Sequence, residues 1–197
     1  MTTIHFRKTS FVRAVLAALV LVLVPAVASA QARRGGGGSA GHLEVGGEFG
    51  LTIPFDSGVG VGFKLAPEGF FFLPEFSPGL SLGVGGQLAF DLHPFPDFGT
   101  IWFMDIVPMG RLRYAINPKT AVYGELGMGI GIAHTSFSAF GFSTSATDTA
   151  FLLKLGGGVE FKIDPKLSIT AGPAFNFYLK GGGSTVLSLM GGLLYKI

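Results

Sequence analysis

The sequence predicts an all-β protein, an eight-stranded antiparallel up-and-down transmembrane β-barrel behind a cleaved signal peptide. Three observations carry this. The chain of 197 residues is 48% hydrophobic but only 13% charged, against about 25% for a soluble domain. Its N-terminus is basic and then apolar. From His42 onward, apolar and polar residues alternate with a period of two.

The leader comes first. Arg7, Lys8 and Arg13 precede an apolar run over Ala14–Val24, which Pro25 ends, and Ala28-Ser29-Ala30 supplies small residues for a signal peptidase. The run is short for a spanning helix, which takes about 20 residues. We therefore assign 1–30 to a signal peptide cleaved after Ala30. It holds three of the 14 basic residues and none of the 12 acids. The remaining 167 residues carry 11 bases and 12 acids, a net charge of −1. That near-neutral balance points away from nucleic acid as a partner. The absence of cysteine excludes a disulfide scaffold, a thiolate metal site and a cysteine nucleophile. Residues 31–41, QARRGGGGSAG, have the composition of a flexible periplasmic tail, and the barrel occupies 42–197.

The eight strands follow from parity. Strand one sets Leu43, Val45, Phe49 and Leu51 against Glu44, Gly46, Glu48 and Thr52. Strand two sets Val61, Phe63 and Leu65 against Gly62 and Lys64, after which 66–79 is too apolar for an ordinary turn and suggests strand extension or an interfacial segment. Strand three alternates over Leu80–Asp91. Strand four alternates over Trp102–Tyr114, with Pro108 predicting a bulge or local break because it cannot donate to the ladder. Strands five to eight alternate over 122–132, 151–162, 168–180 and 187–197. Several keep strict parity for ten or more residues, the length of a tilted spanning strand (about 9–11) more than of a globular one (about 5–6).

The apolar parity is dense with Leu, Ile, Val and Phe, and so faces lipid; the glycine-rich parity lines a narrow interior. Phe49, Phe55, Phe90, Trp102, Tyr114, Phe161, Phe177 and Tyr195 fall toward strand ends as interfacial girdles. Asn117-Pro118 and Asp164-Pro165 mark short turns after strands four and six, since Asx accepts a local hydrogen bond and Pro pre-sets φ. These even connections are periplasmic. The odd ones are external, and only 136–148, SFSAFGFSTSATD, is a long loop.

Export, eight alternating strands, short even turns and a terminal Gly192-Leu193-Leu194-Tyr195-Lys196-Ile197 resemble the small eight-stranded outer-membrane β-barrels of Gram-negative bacteria, of the OmpX and OmpA-transmembrane-domain kind. Ile197 stands where such barrels usually close on Phe. The resemblance implies recognition by the barrel-assembly machinery and a setting in outer-membrane lipid and lipopolysaccharide.

The inward parity collects a lumen charge network: Glu44, Glu48, Asp91, Asp105, Glu125 and Glu160 against Lys64, Arg111, Arg113, Lys154, Lys162, Lys180 and Lys196. Near balance predicts mutual pairing and a plugged polar lumen, because an eight-stranded barrel has just enough interior for its own side chains. The expected role is non-enzymatic, structural or surface-interacting, in a monomer without cofactor or metal. His42, His93 and His134 are too far apart in sequence for a metal motif. Two alternatives stay open. One is a narrow conduit for small apolar or amphipathic molecules. The other is lipid A deacylase-like catalysis by His134 and Ser136 with Asp148, since a His that activates a Ser is nucleophile chemistry.

Overall fold

A computed structural model describes residues 41–55, 59–95, 99–139, 142–180 and 183–197. The leader and nearly all of the glycine-rich tail lie outside the described residues. The strands are β1 (His42–Pro54), β2 (Gly62–Phe72), β3 (Leu80–Phe95), β4 (Gly99–Asn117), β5 (Thr120–Ala139), β6 (Phe142–Lys162), β7 (Leu167–Leu179) and β8 (Ser184–Lys196). Each pairs antiparallel with its sequence neighbour, and β8 pairs with β1, so the sheet closes on itself. Closure leaves no edge, which hydrocarbon demands because it offers no partner for a free N–H or C=O.

Parity sets the faces. On β2, Gly62, Lys64, Ala66, Glu68, Phe70 and Phe72 point inward and are buried. On β5, Val122, Leu126, Met128 and Ile130 stand out from the barrel. The 11 residues of β2, at ~3.3 Å each and tilted about 40°, rise ~28 Å, close to the ~25 Å apolar band of such barrels.

Proline explains the irregularities. No bulge forms at Pro108. The strand is continuous, and the β4–β5 ladder pauses between Ile106↔Ile130 and Met109↔Gly127 without changing register. Pro67 and Pro173 coincide with the same kind of pause, between β2 and β3 and between β6 and β7. Each proline keeps its pairing on the other side, Pro67 with Gly47, Pro108 with Gly86 and Pro173 with Leu189. A residue without an N–H can serve only part of its ladder, and these three sit where one neighbour does without. The register shift lies elsewhere, at Ala115/Asn117, just before a turn.

The two Asx-Pro turns form as expected. Asn117 Oδ1 accepts from the Lys119 and Thr120 amides, both at 2.9 Å, and Asp164 Oδ1 from Lys166 and Leu167 at 2.7 and 2.8 Å. Residues 66–72 extend β2 and leave a short connection before Leu80. The expected long loop 136–148 is instead the tip of a hairpin. The β5–β6 ladder runs unbroken from Thr120↔Phe161 to Ala139↔Phe142. Alternating Ser, Thr and Phe suit a strand as well as a loop.

Gly129 lies opposite the Pro108 pause, where a Cβ would overlap the Ile106 carbonyl oxygen. Gly129→Ala should therefore force β4 and β5 apart. The expected outcome is a clear loss of heat-modifiable folded band on gel electrophoresis, with Gly124→Ala, where a Cβ meets nothing within 4 Å, as the silent control.

Candidate functional site

The lumen holds three layers of ionisable side chains. At the short-turn end, Arg113 of β4 lies between Glu44 of β1 (3.0 and 3.1 Å) and Glu160 of β6 (3.2 Å to each oxygen). His42 reaches Glu44 at 2.7 Å, and the Arg113 guanidinium covers the Phe72 ring at 3.8 Å.

The middle layer centres on Arg111, which is fully buried. It donates to Glu125, its direct cross-strand neighbour, and to Glu68 at 2.8 Å. Its guanidinium lies over the rings of Phe70 (4.2 Å) and Tyr123 (4.7 Å). Delocalised charge and weak hydration suit arginine to such a setting. Lys154 donates to Gln87 at 2.9 Å and sits 3.3 Å from Glu125, while the Gln87 amide donates to Glu48 and Glu68, each at 3.2 Å. Glu48, Glu68 and Glu125 offer oxygens within 4.8 Å of one another, the one carboxylate group among the described residues that could hold a metal ion. Arg111 and Lys154 already supply positive charge there.

The third layer, toward the long strands, pairs Lys64 with Asp91 (2.9 Å) and Asp105 (3.4 Å), and the Tyr178 hydroxyl donates to Asp105 at 2.9 Å. Thr52 and the Gly60 carbonyl hold the two ring nitrogens of buried His93, at 3.2 and 3.0 Å.

Ten of the thirteen charges expected from parity are buried in these layers: Glu44, Glu48, Lys64, Asp91, Asp105, Arg111, Arg113, Glu125, Lys154 and Glu160. The other three are not. Lys162 and Lys196 are exposed at strand ends, and Lys180 pairs at the opposite rim with Asp148. Glu68 was missed because the Phe70-Phe71-Phe72 run hides its parity. The balance changes accordingly. Seven buried acids face four buried bases among the described residues, one acid in excess in every layer. Nor is the interior wholly polar: Phe70, Phe72, Val107, Met109, Leu152, Tyr178 and Val186 pack together between the charges.

The His134, Ser136 and Asp148 constellation does not assemble. His134 faces outward, shares a 2.8 Å hydrogen bond with Thr147 and lies against Trp102 at 5.2 Å. Ser136 donates to the Thr100 carbonyl at 3.3 Å. Asp148, paired with Ala133, has the opposite parity and bonds Lys180. The sheet itself stands between the acid and the imidazole.

Comparison with known proteins then identifies the architecture. The family described as "Outer membrane protein beta-barrel domain" matches residues 14–182. This chain belongs to that family. Outer-membrane barrels of solved structure share its fold. Neisserial surface protein A is 15% identical, with a TM-score of 0.57 over 79% of this chain and 97% of its own. A major outer membrane protein from Thermus thermophilus is 15% identical, with a TM-score of 0.52 over 79% and 99%. The outer membrane enzyme PagL is 14% identical, with a TM-score of 0.50 over 78% and 99%. No curated protein matches the chain in sequence. As a family member it is an outer-membrane protein, and its apolar face meets lipid.

Removing one partner of a buried ion pair strands the other's charge, at a cost of about 3–5 kcal/mol. Arg111→Met should lower the urea unfolding free energy of the refolded barrel by about that amount. Adding Glu68→Met and Glu125→Leu should recover most of it, because an apolar replacement leaves no stranded charge.

Proposed function

We propose that this outer-membrane barrel is a non-enzymatic, membrane-stabilising or surface-interacting monomer whose lumen is plugged by its own side chains. The observation that carries the reading is Arg111, fully buried inside the barrel and tied to β5 and β2 at once. A guanidinium bonded to facing walls and lying on Phe70 and Tyr123 closes the cross-section at its middle. The layers above and below span the lumen in the same way. Arg113 of β4 joins β1 and β6, and Asp105 of β4, held by Lys64 of β2, accepts from the Tyr178 hydroxyl of β7.

In this reading residues 1–30 direct export and are removed, 31–41 form a periplasmic tail, and the assembly machinery inserts 42–197. The short turns then face the periplasm and the β5–β6 hairpin faces outward. With external connections this short, surface contact falls to that hairpin. Charges paired across the core add little or no stability over a well-packed apolar core, but they tie non-adjacent strands to one another.

Purified refolded protein in planar bilayers should give no stable open states. Reproducible long-lived openings in the unmodified protein would replace this reading with the conduit.

A further inference from the structure

The exposed bases are not spread evenly over the barrel. Among the described residues the arginines are buried, and five lysines are exposed: Lys119, Lys162, Lys166, Lys180 and Lys196. Four of the five stand on the short-turn rim. Lys119 lies in the β4–β5 turn, Lys162 ends β6, Lys166 lies in the β6–β7 turn and Lys196 ends β8. Backbone hydrogen bonds bring them together in twos. The Lys162 amide donates to the Lys119 carbonyl at 2.8 Å, and the Lys196 amide to the Lys166 carbonyl at 2.7 Å. Lys162 pairs in turn with Ser168 of β7, next to Leu167↔Tyr195, so the four form one continuous arc.

This arc is not neutralised. None of its lysines makes an ion pair among the described residues, whereas Lys180, at the other rim, is held by Asp148. The exposed acid within the arc is Asp164, whose Oδ1 accepts the Lys166 and Leu167 amides of its own turn. Four lysines against that one carboxylate leave an excess of three positive charges. Glu75 stands apart in the β2–β3 connection, where it accepts the Gly79 amide. Phe161, Ile163 and Tyr195 are exposed directly beside the lysines, at the end of the lipid-facing belt. The Lys166 ammonium lies 5.7 Å from the centre of the Tyr195 ring. Lysine stems run along apolar surface while their ammonium groups stay in the polar layer, so these charges sit at the depth of lipid head groups.

We propose that the lysine arc binds the phosphates of anionic phospholipids in the leaflet at the short-turn rim. The acyl chains lie on the outward apolar side chains below, and the ammonium groups meet the phosphates above. Anionic head groups attract such clustered bases, whereas a zwitterionic head group brings a cation of its own that the arc repels. That the lipid is a phospholipid and not lipopolysaccharide rests on the orientation proposed above, with the short turns in the periplasm.

The test adds equimolar phosphatidylglycerol and phosphatidylcholine to micelles of the refolded, heat-modifiable protein and counts the retained lipids by native mass spectrometry. Phosphatidylglycerol should be retained in preference by about tenfold or more, and less so as ammonium acetate is raised. Neutralising the arc with Lys119→Gln, Lys162→Gln, Lys166→Gln and Lys196→Gln together should abolish the preference, and Lys180→Gln should leave it intact. The double variants Lys119→Gln/Lys162→Gln and Lys166→Gln/Lys196→Gln should fall between, and they carry the test if the quadruple variant does not fold. Equal retention of the two lipids would overturn the site, as would a preference that survives neutralisation of the arc or that Lys180→Gln removes. Orientation is read separately, by adding a maleimide on a polymer too bulky to cross the outer membrane to intact cells carrying Lys166→Cys. Protection until the outer membrane is opened is expected, and rapid labelling would overturn the assignment to phospholipid.

Discussion

Hydrocarbon solvates neither a peptide group nor a charge, and every feature of this barrel answers to that constraint. The sheet closes because an open edge would leave a row of unpaired backbone groups in lipid. Its outward positions are Leu, Ile, Val, Phe and Met for the same reason. The polar residues that remain have one place to go, the inward face, where they bond to one another from opposite walls. Prolines within spanning strands are tolerated where the ladder pauses without shifting, so that parity survives along the whole strand.

The lumen therefore combines two kinds of packing usually kept apart. Arginines sit face-on against Phe70, Phe72 and Tyr123 while their edges donate to carboxylates. The aromatic faces take the flat sides of the guanidinium that carboxylates cannot serve. Apolar residues such as Val107, Leu152 and Val186 fill the space that the charged layers leave between them. Glycines on the inward face give the long side chains room to cross.

Much of this was legible in the residue order. Period-two alternation marked all eight strands, and Asn117 and Asp164 marked their turns by a side-chain hydrogen bond written into residue type and spacing. What parity cannot supply is depth. It places Lys154 and Lys162 on one face, but only position along the barrel axis makes the first a buried lock and the second a solvated rim charge. Runs that are apolar on both parities conceal the face altogether, as Phe70-Phe71-Phe72 concealed Glu68 and the inward phenylalanines. The β5–β6 tip misled for a different reason: its uncharged Ser, Thr and Phe have the composition of a loop, yet with no Pro and Gly only at 141 little in the run stops a strand. Residue type alone suggested His134, Ser136 and Asp148 as an alternative; parity separates them, since Asp148, opposite Ala133, lies on the other face from His134.

The division of the chain into a lipid face and an inward face of mutually bonded side chains underlies the rest, and the absence of native cysteine makes it directly measurable. Single variants Leu126→Cys, on the outward face, and Val107→Cys, inside, would be refolded into vesicles. Each would then be exposed to a membrane-dissolved and to a charged, impermeant maleimide. The account predicts that Leu126→Cys reacts only with the membrane-dissolved reagent and that Val107→Cys reacts with neither until the barrel is unfolded. Rapid labelling of Val107→Cys by the impermeant reagent would show a water-filled lumen, and labelling of Leu126→Cys by that reagent would show that the apolar face does not meet lipid.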